Sequence, residues 1–296
     1  MPALAARCLA HAPLDGGNLT AIRGVSIYRQ SAAPKPQCAV YEPGIFLVTQ
    51  GRKQATVGEE AFVYDPEHYL VTSVPLPVVT QILEVSPERP FLSLAIGIKL
   101  EAVREIMTQA GDALAPSVSE PPQRGLAACP VTAPIREVAT RLLDLLDRPE
   151  DIPVLAPLAL RELLYLVLKG PRGGFLRAVA MGHGQQRAIS DVLTTIHADC
   201  AQTFTVPQLA ALAGMSESVF YEAFKSVTAA TPMQYIKRLR LQEAHRQLAV
   251  GLNNVSGAAY GVGYSSVSQF SREFTRVFGA NPQSVLARQR PERALD

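Results

Sequence analysis

Four cysteines, at positions 8, 38, 129 and 200, are the most readily oxidised and metal-binding side chains in the sequence, and their spacing excludes most of what cysteines do. None stands in a C-x-x-C pair or beside a second thiol, as a zinc site or a redox couple requires. Scattered thiols of this kind fit a reduced, cytoplasmic setting. GPRGG at 170–174 lacks the G-x-x-x-x-G-K-[ST] spacing that cradles phosphate and reads as linker. The functional chemistry lies elsewhere, in a pattern written twice between residues 205 and 286. Leu209, Ala210 and Gly214 recur as Ala258, Ala259 and Gly263, at an offset of 49. Phe220, Phe224 and Pro232 recur as Phe270, Phe274 and Pro282, at an offset of 50. Each copy reads as a short helix, a turn at the glycine and a longer helix. Two helix-turn-helix units in series are a device for gripping two neighbouring stretches of DNA major groove.

The elements that must position those units announce themselves locally. Thr205…Gln208, Thr231…Gln234 and Ser266…Gln269 place a hydroxyl three residues before a glutamine, the capping-box spacing that starts a helix. Pro232 and Pro282 stand where a first helical residue needs no N–H. Leu209, Leu212, Val219, Phe220 and Phe224 read as the core of the first unit. Ala258, Val262, Tyr264, Phe270, Phe274 and Val277 read as that of the second. Between them, Met233–Ala249 reads as one helix; its seventeen residues would span about 26 Å. Recognition helices on one DNA face stand about 34 Å apart, so one rigid connector can set their spacing.

The preceding half has a different rhythm. Residues 20–100 carry short strand-like runs, at 44–50, 54–57, 61–64, 68–74, 78–85 and 91–98, separated by turn signals such as Glu42-Pro-Gly44 and Asp65-Pro66. Such a run predicts a small sandwich or barrel whose mouth can hold a ligand. Residues 99–110 read as helix, 111–133 as a loop rich in Pro, Ala and Ser, and 134–147 and 155–169 as two helices. The second of these is apolar nearly all round, which predicts burial, either in a dimer interface or against the β region. Composition agrees with a folded globular chain: 48% hydrophobic and 18% charged over 296 residues. Residues 183–296 hold 11 basic against 8 acidic side chains, whereas 1–182 hold 17 against 18. The repeat half is thus mildly basic, as suits a polyanion partner. The first residues show no secretory signal, and no apolar run is long enough to span a membrane.

The connector PMQYIKRLRLQEAHRQL followed by GYSSVSQFSREFTRVFGANP resembles the C-terminal signature of the AraC/XylS family of bacterial transcription regulators. The segment from YEPGIFLVTQGRKQATVGEE onward also resembles an N-terminal domain of one branch of that family, which implies a cupin-like, effector-binding and dimerising module. The fold class expected is therefore a two-domain α+β protein: an N-terminal β-sandwich or cupin-like barrel with helices, and a C-terminal all-α tandem helix-turn-helix domain. The expected divisions are an N-terminal extension (1–19), a cupin-like effector-binding domain (20–110), a loop (111–133), a helical dimerisation and relay segment (134–169), a linker (170–184) and a DNA-binding domain (185–296).

The resemblance implies that the second helix of each unit enters the major groove. The candidates are Glu217, Ser218, Tyr221, Glu222 and Lys225 in the first unit, and Ser265, Val267, Ser268, Ser271, Arg272 and Arg276 in the second. Arg272 is the strongest candidate for a base contact, because arginine can bond guanine O6 and N7 together; a surface salt bridge is its alternative. Lys225, Arg276, Lys237 and Arg238 suit phosphates, with solvated surface charge as the alternative. Glu222 stands where relatives often carry Arg or His, so the first unit reads a different base or contributes less affinity. The effector pocket is assigned to Tyr28, Cys38, Tyr41, Tyr64 and His68, although alternating core packing accounts for the tyrosines equally well. His68 is the sole histidine of the β region, so the H-x-H metal set of many cupins is missing. A cupin-type enzyme with a DNA-binding tail is the rival reading. Expected partners are double-stranded DNA, a small-molecule effector, a second copy and RNA polymerase, with no membrane; no catalytic residue, metal or cofactor is assigned.

Overall fold

The computed structural model describes residues 2–114, 124–181 and 184–287. Parts of the expected loop (115–123), linker (182–183) and DNA-binding segment (288–296) lie outside the described residues. After helix α1 (Pro2–Ala10) come β1 (Gly16–Leu19), β2 (Val25–Gln30), β3 (Gln37–Tyr41), β4 (Gly44–Gln50), β5 (Arg52–Val57), β6 (Glu60–Tyr64), β7 (His68–Thr72), β8 (Leu76–Glu84) and β9 (Phe91–Gly97). Helix α2 (Leu100–Ala110), strand β10 (Leu126–Pro130) and helices α3 (Ala133–Asp144), α4 (Ile152–Lys169) and α5 (Gly173–Met181) complete the N-terminal half.

The strands do not close into a cupin-like barrel, and that expectation is corrected. They form two open sheets, one of six strands in the order β1-β2-β9-β4-β7-β10 and one of four in the order β3-β8-β5-β6. At the free edge of β3 the Ala39 carbonyl accepts a hydrogen bond from Gln242 of the C-terminal half at 2.7 Å, so part of that edge is covered by the helix that carries Gln242. Strand β10, in the stretch expected to be a loop, pairs with β7 from Leu126↔Thr72 to Pro130↔His68. The stretch expected to be linker contains α5, whose Phe175, Leu176 and Val179 are buried.

Alternation along the six-stranded sheet sorts its two faces. Ile45, Leu47, Leu92, Leu94 and Ile96 pack with α1, α3 and α4. Val48 and Phe91 face the other way, into the core that holds Tyr41, Ala55 and Tyr64 of the smaller sheet. The same core runs on into the C-terminal half through Phe220, Phe224, Tyr235 and Leu239.

That half consists of α6 (Gly184–Ala198), α7 (Val206–Leu212), α8 (Glu217–Thr228), α9 (Pro232–Ala249), α10 (Val255–Gly261), α11 (Val267–Phe278) and α12 (Pro282–Ala287). Thr205 and Thr231 make complete capping boxes with Gln208 and Gln234. Ser266 accepts from the Gln269 N–H. Leu212 and Val219, read from spacing as core, are exposed, while Phe220, Phe224, Phe270 and Phe274 are fully buried.

Candidate nucleic-acid interface

Helices α8 and α11 begin at serine N-caps and end at left-handed C-caps, Ala229 (φ 52°) and Gly279 (φ 64°). Each buries its phenylalanine face and leaves the opposite face to solvent. On α8, Glu217, Ser218, Tyr221, Glu222 and Lys225 are all exposed. On and before α11, Ser265, Ser268, Arg272 and Arg276 are exposed, with Val267 and Ser271 half-buried. Each group thus lies around one helix surface, at the second helix of its unit.

The two surfaces differ in charge for a structural reason. Glu273, the acid of α11, is folded beneath the helix against the connector α9. It receives Lys237 Nζ at 2.6 Å and the Tyr264 hydroxyl at 2.8 Å. Burial works against this carboxylate, yet the bonds from Lys237, Tyr264 and Gln269 hold it below the usual range. What α11 shows to solvent is therefore Arg272 and Arg276. On α8, Glu217 and Glu222 stay outside. Lys237, expected at a phosphate, is engaged in this internal pair. Arg238 lines a cleft between the halves with Cys38, Gly58 and Val277.

Of the residues expected around an effector, the structure gathers three. The Tyr41 and Tyr64 hydroxyls are hydrogen-bonded at 2.7 Å. Lys53 Nζ stands 4.8 Å from the centre of the Tyr28 ring and 5.7 Å from that of Tyr41. Burial pushes the Tyr64 hydroxyl well up, so it is a neutral donor or acceptor. Cys38 and His68 lie apart from these three. His68 is exposed and bonded to Asp65 at 3.0 Å. Cys38 faces the C-terminal half, its thiol 3.9 Å from the Val277 carbonyl, and burial pushes the thiol up despite nearby Arg238. That shift opposes formation of the reactive thiolate.

Sequence reading missed the junctions between the halves. The buried Tyr235 hydroxyl on α9 donates to the Pro75 carbonyl at 2.6 Å and bonds His197 Nε2 at 2.7 Å. Burial draws the His197 imidazole down to about 4. Arg124 pairs with Glu60 and donates to the Lys225 and Ser226 carbonyls at the end of α8. A cleft of about 620 Å³ lies between β3 and α9, lined by Cys38, Glu42, His197, Cys200 and His245 among others. No spacing rule pairs residues 160 positions apart, as Pro75 and Tyr235 are, so these contacts carried no signal in the sequence. Among the described residues no cluster of His, Cys, Asp and Glu is arranged to hold a metal ion, and no helix is long and apolar enough to cross a membrane.

Residues 21–175 match the AraC-type transcriptional regulator N-terminus, and residues 209–288 match a helix-turn-helix domain. The chain belongs to the AraC-type transcriptional regulators. It is similar to a putative AraC-like transcription regulator of Streptomyces antibioticus, 37% identical over 94 residues, covering 32% of this chain and 31% of that one. It is also similar to the HTH-type transcriptional regulator AlkR of Acinetobacter baylyi, 37% identical over 95 residues, with 32% and 31% covered. The match thus spans about a third of the length of these curated relatives, 31% in each case. The crystal structure of ToxT from Vibrio cholerae shares the fold: TM-score 0.54 at 13% identity, over 89% of this chain and 96% of that one. Membership in a family of regulators removes the cupin-type enzyme reading.

Proposed function

We propose that this AraC-type regulator binds DNA sequence-specifically, with α8 and α11 entering successive major grooves and α9 holding them in register. The observation that carries the reading is the pair of exposed second-helix faces on one connector, with Arg272 and Arg276 outside and Glu273 tucked inside. The second unit supplies charge and a candidate guanine contact. The first, with Glu217 and Glu222 at its surface, discriminates more than it anchors, since a carboxylate is repelled by phosphate but accepts from cytosine N4.

Two finer features belong to the same proposal. The chain works as a homodimer through α4, where Val154, Leu155 and Leu158 are 65%, 40% and 60% exposed on a helix whose other face is buried. A small-molecule effector binds beside Tyr28, Tyr41 and Tyr64, near Lys53, and acts by favouring one arrangement of the two halves over another. RNA polymerase is a further partner once the protein sits on a promoter.

Purified protein is expected to retard DNA carrying its own promoter region, with affinity falling steeply as salt rises. Arg272→Ala should cost about 1–3 kcal/mol of binding and relax the preference at one base position. Retardation that is absent for every genomic fragment, or insensitive to salt, refutes the DNA-binding reading. Sedimentation of wild type against Leu158→Glu tests the dimer.

A further inference from the structure

The connector α9 divides between two hydrophobic cores. Tyr235, Ile236 and Leu239 belong to the core shared by the first unit and the small sheet. Leu241, Ala244 and Leu248 belong to a separate core formed with the second unit. Arg240 stands at the seam. Its guanidinium reaches both sides at once: Nε donates to the Cys200 carbonyl at 2.7 Å, and Nη2 donates to Ala201 at 3.3 Å and Gln202 at 2.9 Å. Nη1 donates to the Gly263 carbonyl at 3.2 Å. Residues 200–202 form the loop that leads into the first unit, and Gly263 is the turn of the second.

A steric observation points to the same place. At Gly263, with φ +87°, an added Cβ would lie 2.5 Å from the Ala201 carbonyl oxygen. The second unit's turn therefore abuts the first unit's loop, backbone against backbone. The equivalent turn of the first unit, Gly214 with φ +64°, has nothing within 4 Å of such a Cβ. Both turns need the left-handed backbone, but only the second is pressed against a neighbour.

An eighteen-residue helix fixes how far apart its ends are, about 27 Å. It does not by itself fix the rotation of a unit that packs on its last turns through an independent core. We propose that Arg240 is a positioning residue: by bonding both units across the seam, it fixes the rotation of α11 relative to α8 and thereby sets the base-pair spacing between the two DNA boxes that one chain reads. The proposal rests on the DNA-binding reading. A planar guanidinium suits four carbonyls arranged around it, and a lysine ammonium, with three donors on one point, cannot span the same set.

The test begins with duplexes selected by wild-type protein from a random library, which define its two boxes. One to three base pairs are then inserted or removed between the boxes, each step turning one box about 34° relative to the other, since a turn holds about 10.5 base pairs. Wild type should lose roughly tenfold or more in affinity for a one-pair change, as one unit loses its contacts. Arg240→Ala should bind the best duplex more weakly while the ratio between spacings falls to about threefold or less, and Arg240→Lys should recover part of that ratio. Gly263→Val, which keeps the Arg240 side chain but pushes the turn it bonds away from Ala201, should flatten the profile in the same way and keeps the test open if Arg240→Ala does not fold. Arg246→Ala, which removes an exposed charge paired with Glu243 on the same helix, should leave the ratio unchanged. A merely structural loss would weaken every spacing alike, so an unchanged spacing ratio in folded Arg240→Ala or Gly263→Val overturns the proposal. Wild type that enriches no duplex refutes the DNA-binding reading, and this inference with it.

Discussion

Replacing Tyr235 by Phe removes one oxygen and leaves everything else in place. The ring is fully buried and packs edge-on against Phe224 at 5.5 Å, so the loss is confined to hydrogen bonding. The hydroxyl has a single proton, which goes to the Pro75 carbonyl at 2.6 Å. The 2.7 Å contact with His197 must then be an Nε2–H donating to the tyrosine oxygen, which sets the imidazole tautomer. The variant strands an acceptor on the β half and a donor on α6. Each stranded buried group costs about 1–3 kcal/mol. Pro75 is only half-buried and can recover a water, so the sum should be about 2–3 kcal/mol. At the size of these units that is a fall in Tm of about 4–10 °C. Thermal and urea melts at neutral pH measure the total, and hydrogen exchange around 74–76 and 195–198 locates it. Tyr264→Phe, whose hydroxyl bonds only within the second unit, should leave exchange around Pro75 untouched. A Tyr235→Phe protein melting within about 1 °C of wild type would show that this bond does not hold the halves together.

Three further outcomes follow from the same interfaces. His197, held near 4 against an ordinary 6.5, binds a proton more readily in the unfolded chain. Its contribution to stability is therefore intact above about pH 6.5 and is lost as pH falls toward about 4, by up to about 3 kcal/mol, and His197→Gln should flatten that part of the profile. Phe274→Ala should cost about 3–5 kcal/mol. Because the second unit has its own core, exchange protection should vanish from α10–α12 while α7 and α8 keep theirs. Gly58, with φ +63°, meets Ala229 where a Cβ would lie 2.6 Å from its carbonyl oxygen. Gly58→Ala should therefore cost about 1–3 kcal/mol in denaturant titrations, more than Gly214→Ala, which carries only the backbone penalty.

What the sequence revealed and what it hid divide along a physical line. The tandem units were legible because capping boxes, turn glycines and phenylalanine spacing are local, and α7 to α12 fall where those signals put them. Strands β4 to β9 were legible for the same reason, from alternation between turn residues. β1, β2, β3 and β10 were not singled out, since short strands such as Gly16–Leu19 carry little periodicity. Closure was misjudged because alternation gives each strand two faces but says nothing of which edges pair. The Ala39 carbonyl on the edge of β3 is met by Gln242, 203 residues further along the chain. The Lys237–Glu273 pair is hidden in the same way: it joins two helices of the repeat, and no local spacing rule announces it.

The unequal burial of the two units bears on how a signal would travel. The first unit shares one continuous core with the small sheet, and its second helix, α8, ends against Gly58, Arg124 and Gly125 of the N-terminal half. The second unit keeps a private core and meets that half at β3, where Cys38 approaches Val277. A rearrangement of the small sheet would therefore act on α8 directly and reach α11 chiefly through α9 and the Arg240 seam. The unit with acidic side chains at its surface shares its core with the N-terminal half, and the unit with exposed arginines touches that half only at its edge, along β3. On the proposed reading, anchoring and control would fall to different copies of the same motif, which a symmetric repeat with both units equally buried would not permit.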